Sequence, residues 1–261
     1  MMRLGAVHVV VTDLDRSVGF YQDAIGLRQH SREELDGGAV AALGAGDEDV
    51  LVLHERPGAR PAGRHAGLYH FALLFPSREE LARALQRLAL TRTPISGASD
   101  HGVSEAIYLN DPDGNGIELY VDRPREAWPP PSRDGERVGM FTEPLDLPDL
   151  MALVERAEPV RHAQDGLRLG HIHLHVSDLE AALAFYTGEL GLEEMTRYPG
   201  AGFLSWEGYH HHLGINVWRG EGVPPAPGDA VGLHHWVAYG AGAEERTLVD
   251  PSGNRVLLKP A

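Results

Sequence analysis

One strand–helix segment occurs twice with no gap inside it, so the chain is expected to fold as stacked copies of one unit. Leu4–Leu27 reads LGAVHVVVTDLDRSVGFYQDAIGL, and Leu169–Leu192 reads LGHIHLHVSDLEAALAFYTGELGL. Gly5, His8, Asp13, Leu14, Phe20, Tyr21, Gly26 and Leu27 recur 165 residues later as Gly170, His173, Asp178, Leu179, Phe185, Tyr186, Gly191 and Leu192. At the place that bears most on chemistry the copies differ, with Ala6 in the first where the second has His171. A metal ligand gained in one copy and absent from the other would explain the exception.

The repeat extends further. Gly67–Phe71 matches Gly232–Trp236 at the same offset of 165, whereas Asp111–Asn115 matches Asp250–Asn254 at 139, so the second half lacks 26 residues. The missing stretch corresponds to a helix over Arg78–Leu90, with Gly240–Gly242 as the short cut across the gap. Asp13 and Asp178 precede segments with apolar residues at helical spacing (Leu14, Val18, Tyr21; Leu179, Leu183, Tyr186), and Gly26 and Gly191 follow them. This is the pattern of N-caps and glycine C-caps. Each quarter therefore reads as a βαβββ unit. The fold class is α+β, with four such modules, the last truncated, forming two half-barrel-like curved sheets with helices outside. The boundaries fall at 1–123 for the first pair, 124–166 for a Pro-rich, partly helical linker (helical pattern at Leu147–Arg156), and 167–261 for the second pair.

Composition narrows the function classes. No apolar run approaches the roughly 20 residues of a membrane span, and the N-terminus has no signal-peptide pattern. With no cysteine, any metal must sit on His, Asp or Glu. A net charge of −15 opposes binding to a phosphate backbone. The expectation is a soluble, cytoplasmic protein with a small-molecule ligand, no nucleic-acid partner and no membrane partner. Homo-oligomerisation is left open.

Alternate residues of a strand share a face. His171, His173 and His175 thus lie on one side of their strand, with Ile172, Leu174 and Val176 on the other against the helix. His70 opens another strand. Glu118 stands between core-facing Ile117 and Leu119, and a buried carboxylate there requires a metal, an Arg or solvent. His210-His211-His212 opens a strand over Leu213–Trp218. Tyr69, Phe71, Trp218 and Trp236 read as core, His8 and His54 as structural, and the charges of Arg78–Arg87 as a solvated helix face.

GHIHLHVSDLEAALAFYTGELGL, together with YLNDPDGNGIELY in the other half, resembles the vicinal oxygen chelate superfamily, which includes glyoxalases, bleomycin resistance proteins and type I extradiol dioxygenases. GLYHFALLFPSREELA, SDHGVSEAIYLNDPDGNGIELYVDRP and GYHHHLGINVWRGEG resemble the bacterial catechol 2,3-dioxygenases of that superfamily most. The resemblance implies a metal held by a His from one module's first strand and by a His and a Glu from a second module's first and last strands. The first half offers Ala6, His70 and Glu118 at these places, and the second His171, His235 and Leu257. Neither set is complete. Pairing the second module with the third, however, gives His70, Glu118 and His171. Pairing the first with the fourth leaves Ala6, His235 and Leu257, which cannot hold a catalytic metal.

The resemblance further implies an acid/base histidine at His211, with His212 as the alternative, a tyrosine at Tyr108, and a second histidine near it at His101. Candidates for the substrate lining are His173, Trp206, Tyr209, Asn216 and Trp218. The implied cofactor is Fe2+, with Mn2+ as the alternative. Two neutral imidazoles and one carboxylate leave a divalent ion three open positions on one face, enough for a chelating aromatic diol and O2. The implied reaction is ring cleavage of a catechol beside its diol, giving a 2-hydroxymuconic semialdehyde. A glyoxalase-type isomerase or lyase normally adds a second Glu, for which His210–Asn216 offers no acid. A metal-free protein that sequesters an aromatic antibiotic predicts no triad.

Overall fold

The computed structural model describes residues 2–35 and 38–261. The first module runs β1 (Met2–Val11), α1 (Leu14–Phe20, extended by a π-helical turn over Tyr21–Ile25), β2 (Arg28–Leu35), β3 (Gly38–Gly44) and β4 (Asp49–Glu55). The second runs β5 (Gly67–Leu74), α2 (Arg78–Leu90), β6 (Ile95–Asp100), β7 (Ser104–Asn110) and β8 (Gly116–Asp122). The linker contributes β9 (Glu143–Pro144) and α3 (Leu147–Ala152). The third module follows as β10 (Arg168–His175), α4 (Leu179–Leu190), β11 (Glu193–Tyr198), β12 (Ala201–Ser205) and β13 (Leu213–Asn216). The fourth has only β14 (Gly232–Gly240), β15 (Arg246–Val249) and β16 (Arg255–Pro260), a turn over Gly240–Gly242 replacing the helix.

The helices start and stop for the reasons read in the sequence. Asp13 and Asp178 accept hydrogen bonds from Arg16 N and Ala181 N at 2.9 and 3.0 Å, satisfying donors that a helix start leaves free. Gly26 and Gly191 take left-handed conformations, φ 91° and 62°, that end the helical path. Tyr21 and Tyr186 drop from these helices to equivalent buried aspartates, donating to Asp111 and Asp250 at 3.0 and 2.9 Å. Each of these bonds ties a first-quarter-type helix to the DPxGN turn of another quarter.

The sheet order shows which quarters pair. One sheet of seven strands runs β15-β16-β14-β1-β4-β3-β2 and joins the first and fourth modules. The other, of nine, runs β11-β12-β13-β10-β5-β8-β7-β6-β9 and joins the second and third. The seams are β1 against β14 and β10 against β5, both antiparallel. Each half of the chain thus gives one module to each curved sheet. The alternation along the strands sends Val7, Val9, Val11, Ile172, Leu174 and Val176 into the common core, all with no exposure. The opposite faces are concave and carry polar side chains. No helix among the described residues is long and apolar enough to cross a membrane.

The linker is more than a spacer. β9 adds to the edge of the nine-stranded sheet beside β6, through Ser99–Pro144 and Asp100–Glu143 pairs. The strand expected over Leu213–Trp218 is shorter: the histidine run precedes it in a bend, and Val217-Trp218 turn away after Asn216.

Candidate metal centre and its cavity

Strand register brings three side chains to one point. Across the seam His171 lies beside Ala72, and Ala72 in turn beside Glu118 on the parallel strand β8. The methyl of Ala72 leaves the space above it to the two larger side chains, while His70, two residues back on the same face of β5, leans in from the third side. Glu118 Oε2 stands 3.0 Å from His171 Nε2 and 3.0 Å from His70 Nε2. All three residues are buried, and they are the one group of metal-ligating type, with ligand atoms within 4.8 Å of one another, among the described residues.

These residues fit a divalent metal. His70 Nε2 is buried yet has no aligned hydrogen-bond partner, because its approach to Glu118 has the distance of a bond without the direction. A ligand set with bonds of about 2.1 Å at right angles has its donor atoms about 3 Å apart, the separation seen here. Burial works to raise the Glu118 carboxyl, but His171 and His70 outweigh it and hold the group well below the usual carboxylate range. Burial lowers His171, with Glu118 opposing. Neutral imidazole beside ionised carboxylate is the state that coordinates a metal.

A cavity of about 370 Å³ opens onto the triad. Its walls include His70, Glu118, His101, Tyr108, His173, His211 and Trp218, so these residues named from the sequence do meet. His211 lies against His171 with ring centroids 4.1 Å apart. Its alternative, His212, turns the other way: Nδ1 lies 3.0 Å from Ser205 Oγ, and the ring lines a separate, larger cavity of about 960 Å³. Trp206 and Tyr209 line that second cavity too, and Trp206 Nε1 is committed to Leu190 O at 2.8 Å. Asn216 is buried beneath the histidines, bridging His173 Nε2 (2.9 Å) and His175 Nδ1 (2.7 Å). The expected lining is thereby corrected: His173 and Trp218 face the triad's cavity, whereas Trp206, Tyr209 and Asn216 do not, and neither does His212, the alternative acid/base histidine. The assignment of Tyr69 and Trp218 to the core is also corrected. They are 41% and 52% exposed and form the cavity's mouth, edge to face with centroids 5.5 Å apart.

The hydrogen-bond partners assign protons to the rings. Asp122 accepts from His210 Nε2 at 2.9 Å, and a carboxylate has no proton to give. With that proton on Nε2, His210 Nδ1 is free to accept from His211 Nδ1, 2.8 Å away. His211 is left with a lone pair on Nε2. Burial, with His171 and His210 adding to it, pushes the His211 pKa well below the ordinary histidine range. On the far side of the cavity, the Phe141 carbonyl lies 2.9 Å from His101 Nδ1, which therefore carries the proton. With Nδ1–H given to that carbonyl, His101 Nε2 is free to accept, and the Tyr108 hydroxyl donates to it across 2.7 Å. Burial first, then Glu118, keeps Tyr108 protonated far above its usual range.

Several of these residues had no usable signal in the sequence. Met140, Phe141 and Thr142 come from the linker, which has no counterpart in the repeat, and Phe203 from β12 was unmarked. Asp122 ends a strand whose alternation points it at the concave side. The adjacent histidines 210 and 211 were the one hint that they act as a chain.

A model described as the Glyoxalase/Bleomycin resistance protein/Dioxygenase superfamily matches residues 3–119 and 168–241. The chain is 42% identical over 259 residues to a Bacillus subtilis protein named catechol-2,3-dioxygenase, covering 97% of this chain and 87% of that one. It is 30% identical over 119 residues to biphenyl-2,3-diol 1,2-dioxygenase 2 of Rhodococcus globerulus, 43% of this chain and 58% of that one. Among solved structures, glyoxalase I of Zea mays superposes with a TM-score of 0.61 at 17% identity, covering 98% of this chain and 92% of that one, a likeness of fold. With its repeated modules paired across the halves, the chain belongs to the glyoxalase/bleomycin resistance protein/dioxygenase superfamily.

Proposed function

We propose that the protein is an extradiol dioxygenase that cleaves catechol, or a simply substituted catechol, beside its diol with O2, giving a 2-hydroxymuconic semialdehyde. The metal would be one Fe2+ held by His70, Glu118 and His171, with Mn2+ as the alternative. The observation that carries this reading is the buried two-histidine, one-carboxylate cluster, whose His70 and Glu118 line one cavity with His211. The near full-length relative named catechol-2,3-dioxygenase supports it. When bound, iron supplies Lewis acidity toward a chelating diol and a route for electrons between ring and O2.

The side chains do the rest. His211 Nε2 takes a proton from a substrate hydroxyl, and the His210–Asp122 chain behind it stabilises the resulting imidazolium. Tyr108, its O–H hydrogen-bonded to His101 Nε2, offers an oxygen lone pair to the second hydroxyl. Phe203, Trp218 and Tyr69 flank a planar ring, and Met140 and Phe141 keep water from it. A volume of about 370 Å³ lies at the small end for ligand cavities and suits a single ring with short substituents. An isomerase with a further carboxylate ligand is disfavoured, since the described residues place no second acid with the triad. A metal-free binding protein is disfavoured by the orphaned His70 Nε2.

The test is a catechol assay on anaerobically iron-loaded protein, in which a yellow ring-opened product accumulates. His171→Ala and Glu118→Gln are expected to abolish both iron retention and turnover, while His235→Ala leaves both. Iron loss in His235→Ala with retention in His70→Ala would overturn the assignment.

A further inference from the structure

The nine-stranded sheet ends in β11 on one side and in β6 with the short β9 on the other. The linker fastens to both edges. At the first, Met195 is the residue that the β11–β12 register skips, and its carbonyl accepts from Arg137 N at 2.7 Å. The Met195 side chain is buried with Val103 and Val138, and Met140 packs on them. Tyr198, also on β11, donates its hydroxyl to Met140 O at 2.6 Å. At the second edge, Phe141 N donates to His101 O at 3.3 Å, and Glu143 and Pro144 then pair with β6. Residues 137–144 thus cross from edge to edge, beside a cavity that Met140, Phe141 and Thr142 help to line. The seven-stranded sheet has no such crossing and consists of module strands alone among the described residues.

One side chain of this crossing has a seat made for it. Gly102 has φ 75°, and a Cβ there would lie 2.5 Å from Phe141 Cε1 and 2.7 Å from Pro129 Cγ. The absent side chain leaves room for the Phe141 ring, and the left-handed backbone favours glycine as well. The Phe141 peptide is held too, since His101 Nδ1 donates to its carbonyl at 2.9 Å. The ring lines the cavity and is 38% exposed, so it belongs to the rim, as Tyr69 and Trp218 do. The rest of the lining decides a question of charge. It includes Glu118 but, among the described residues, no lysine or arginine. A carboxylate on a substrate ring would be buried there with no cationic side chain to pair with, which is unfavourable.

We propose that residues 137–144 form a specificity strap on which Phe141 sets the substrate class, uncharged catechols of a single ring. The inference rests on the proposed diol substrate and adds which diols enter. Phe141 is seated on Gly102 and tied through its peptide to His101, so it cannot swing aside without breaking those contacts. A second aryl ring on the substrate meets this wall, whereas a short alkyl group or a halogen fits inside it. Such selectivity comes from rejecting the larger or charged ligand, not from added attraction to the smaller one.

The test is anaerobic calorimetric titration of iron-loaded protein with catechol, 3-phenylcatechol and 3,4-dihydroxybenzoate, with cleavage measured separately in air. The wild type is expected to bind catechol about tenfold or more tightly than either of the others, the scale of a shape-based rejection. Phe141→Ala is expected to erase most of the preference over 3-phenylcatechol, and Phe141→Leu part of it. Neither changes iron content or the rejection of 3,4-dihydroxybenzoate, and both keep the backbone bonds of the strap. Binding reads the strap, and yellow product reads the reaction. A preference that holds in the wild type and shifts in the variants, with no product formed, keeps the strap and sinks the dioxygenase reading. The strap is overturned if the wild type binds 3-phenylcatechol or 3,4-dihydroxybenzoate as tightly as catechol, or if none of the three binds. It is also overturned if catechol is cleaved but Phe141→Ala leaves the binding preference unchanged.

Discussion

Asp122 is the residue on which the reading of His211 can be broken. Its carboxylate receives His210 Nε2–H at 2.9 Å and the Tyr209 hydroxyl at 3.0 Å, and its side chain is 26% exposed to the larger cavity. It fixes the proton on each ring of the chain and provides the nearest negative charge behind them. In Asp122→Asn a neutral oxygen can still accept from His210, so the change is from a charge-assisted to an ordinary hydrogen bond, about 1.4 kcal/mol, or about tenfold in kcat. Asp122→Ala removes the acceptor as well and frees His210 to take either tautomer. The loss expected is about 3 kcal/mol, the upper range for a hydrogen bond to a charged group, or about a hundredfold. KM and iron content should hold steady, because Asp122 touches neither the triad nor the triad's cavity. The assay is kcat and kcat/KM for catechol cleavage across pH 6–9 (roughly the range where an acid/base pair limits turnover), with iron counted in each variant. Should His211→Ala cost a hundredfold or more while Asp122→Ala stays within twofold, the relay through His210 is not part of catalysis. If Asp122→Ala instead loses iron, Asp122 supports the fold of the site and the tautomer argument fails.

Other outcomes follow from the same geometry. A Cβ on Gly170 would lie 1.9 Å from the Tyr120 hydroxyl oxygen. Gly170→Ala must therefore displace a fully buried ring that lies against His171 (centroids 4.8 Å apart) and bonds to Tyr209 at 2.8 Å. Overpacking plus one lost hydrogen bond amounts to about 2–4 kcal/mol, read as a lower Tm and weaker iron retention; unchanged values for both would contradict the packing. The metal-free protein is expected to lose stability on acidification. His8, His54 and His235 have pKa values of about 2, 4 and 4 in the fold and about 6.5 in the unfolded chain. Between about pH 6.5 and 4 the unfolded state binds more protons, so stability falls as pH falls through that window. Urea midpoints measured at several pH values check this, and His54→Gln should flatten the slope; an equal slope in wild type and variant would show that the cluster does not titrate on unfolding.

Much of this architecture was legible because duplication doubles every signal. The helix caps at Asp13 and Asp178, the glycine stops and the alternating strands each appeared twice at one spacing. The triad was legible for a related reason: His70, Glu118 and His171 occupy fixed places in a repeated unit, and their convergence needs only the register that puts Ala72 between two of them. The cavity walls were not legible, because they depend on where loops leave the sheet. Trp218 leaves its strand two residues after Asn216 and so escapes the alternation that would have buried it. Trp206 and Tyr209 precede β13 on the opposite side of the histidine bend and face the larger cavity. Phe141 reaches the cavity from a segment with no repeat partner at all.

The difference between Ala6 and His171 then takes on a structural meaning. Both stand on a seam strand whose partner comes from the other half of the chain, so neither copy can be judged within its own half. At His171 the partner strand brings His70 and, one strand further, Glu118. At Ala6 the partner strand brings His235, and beyond it β16 brings Leu257, which offers no ligand. With the carboxylate place lost, a histidine at position 6 would gain little. An Ala6→His, Leu257→Glu double substitution is then expected to restore a second iron-binding triad around His235. Failure of that variant to bind a second iron, with the fold intact by circular dichroism, would show that the two sheets differ in backbone placement and not in side chains alone.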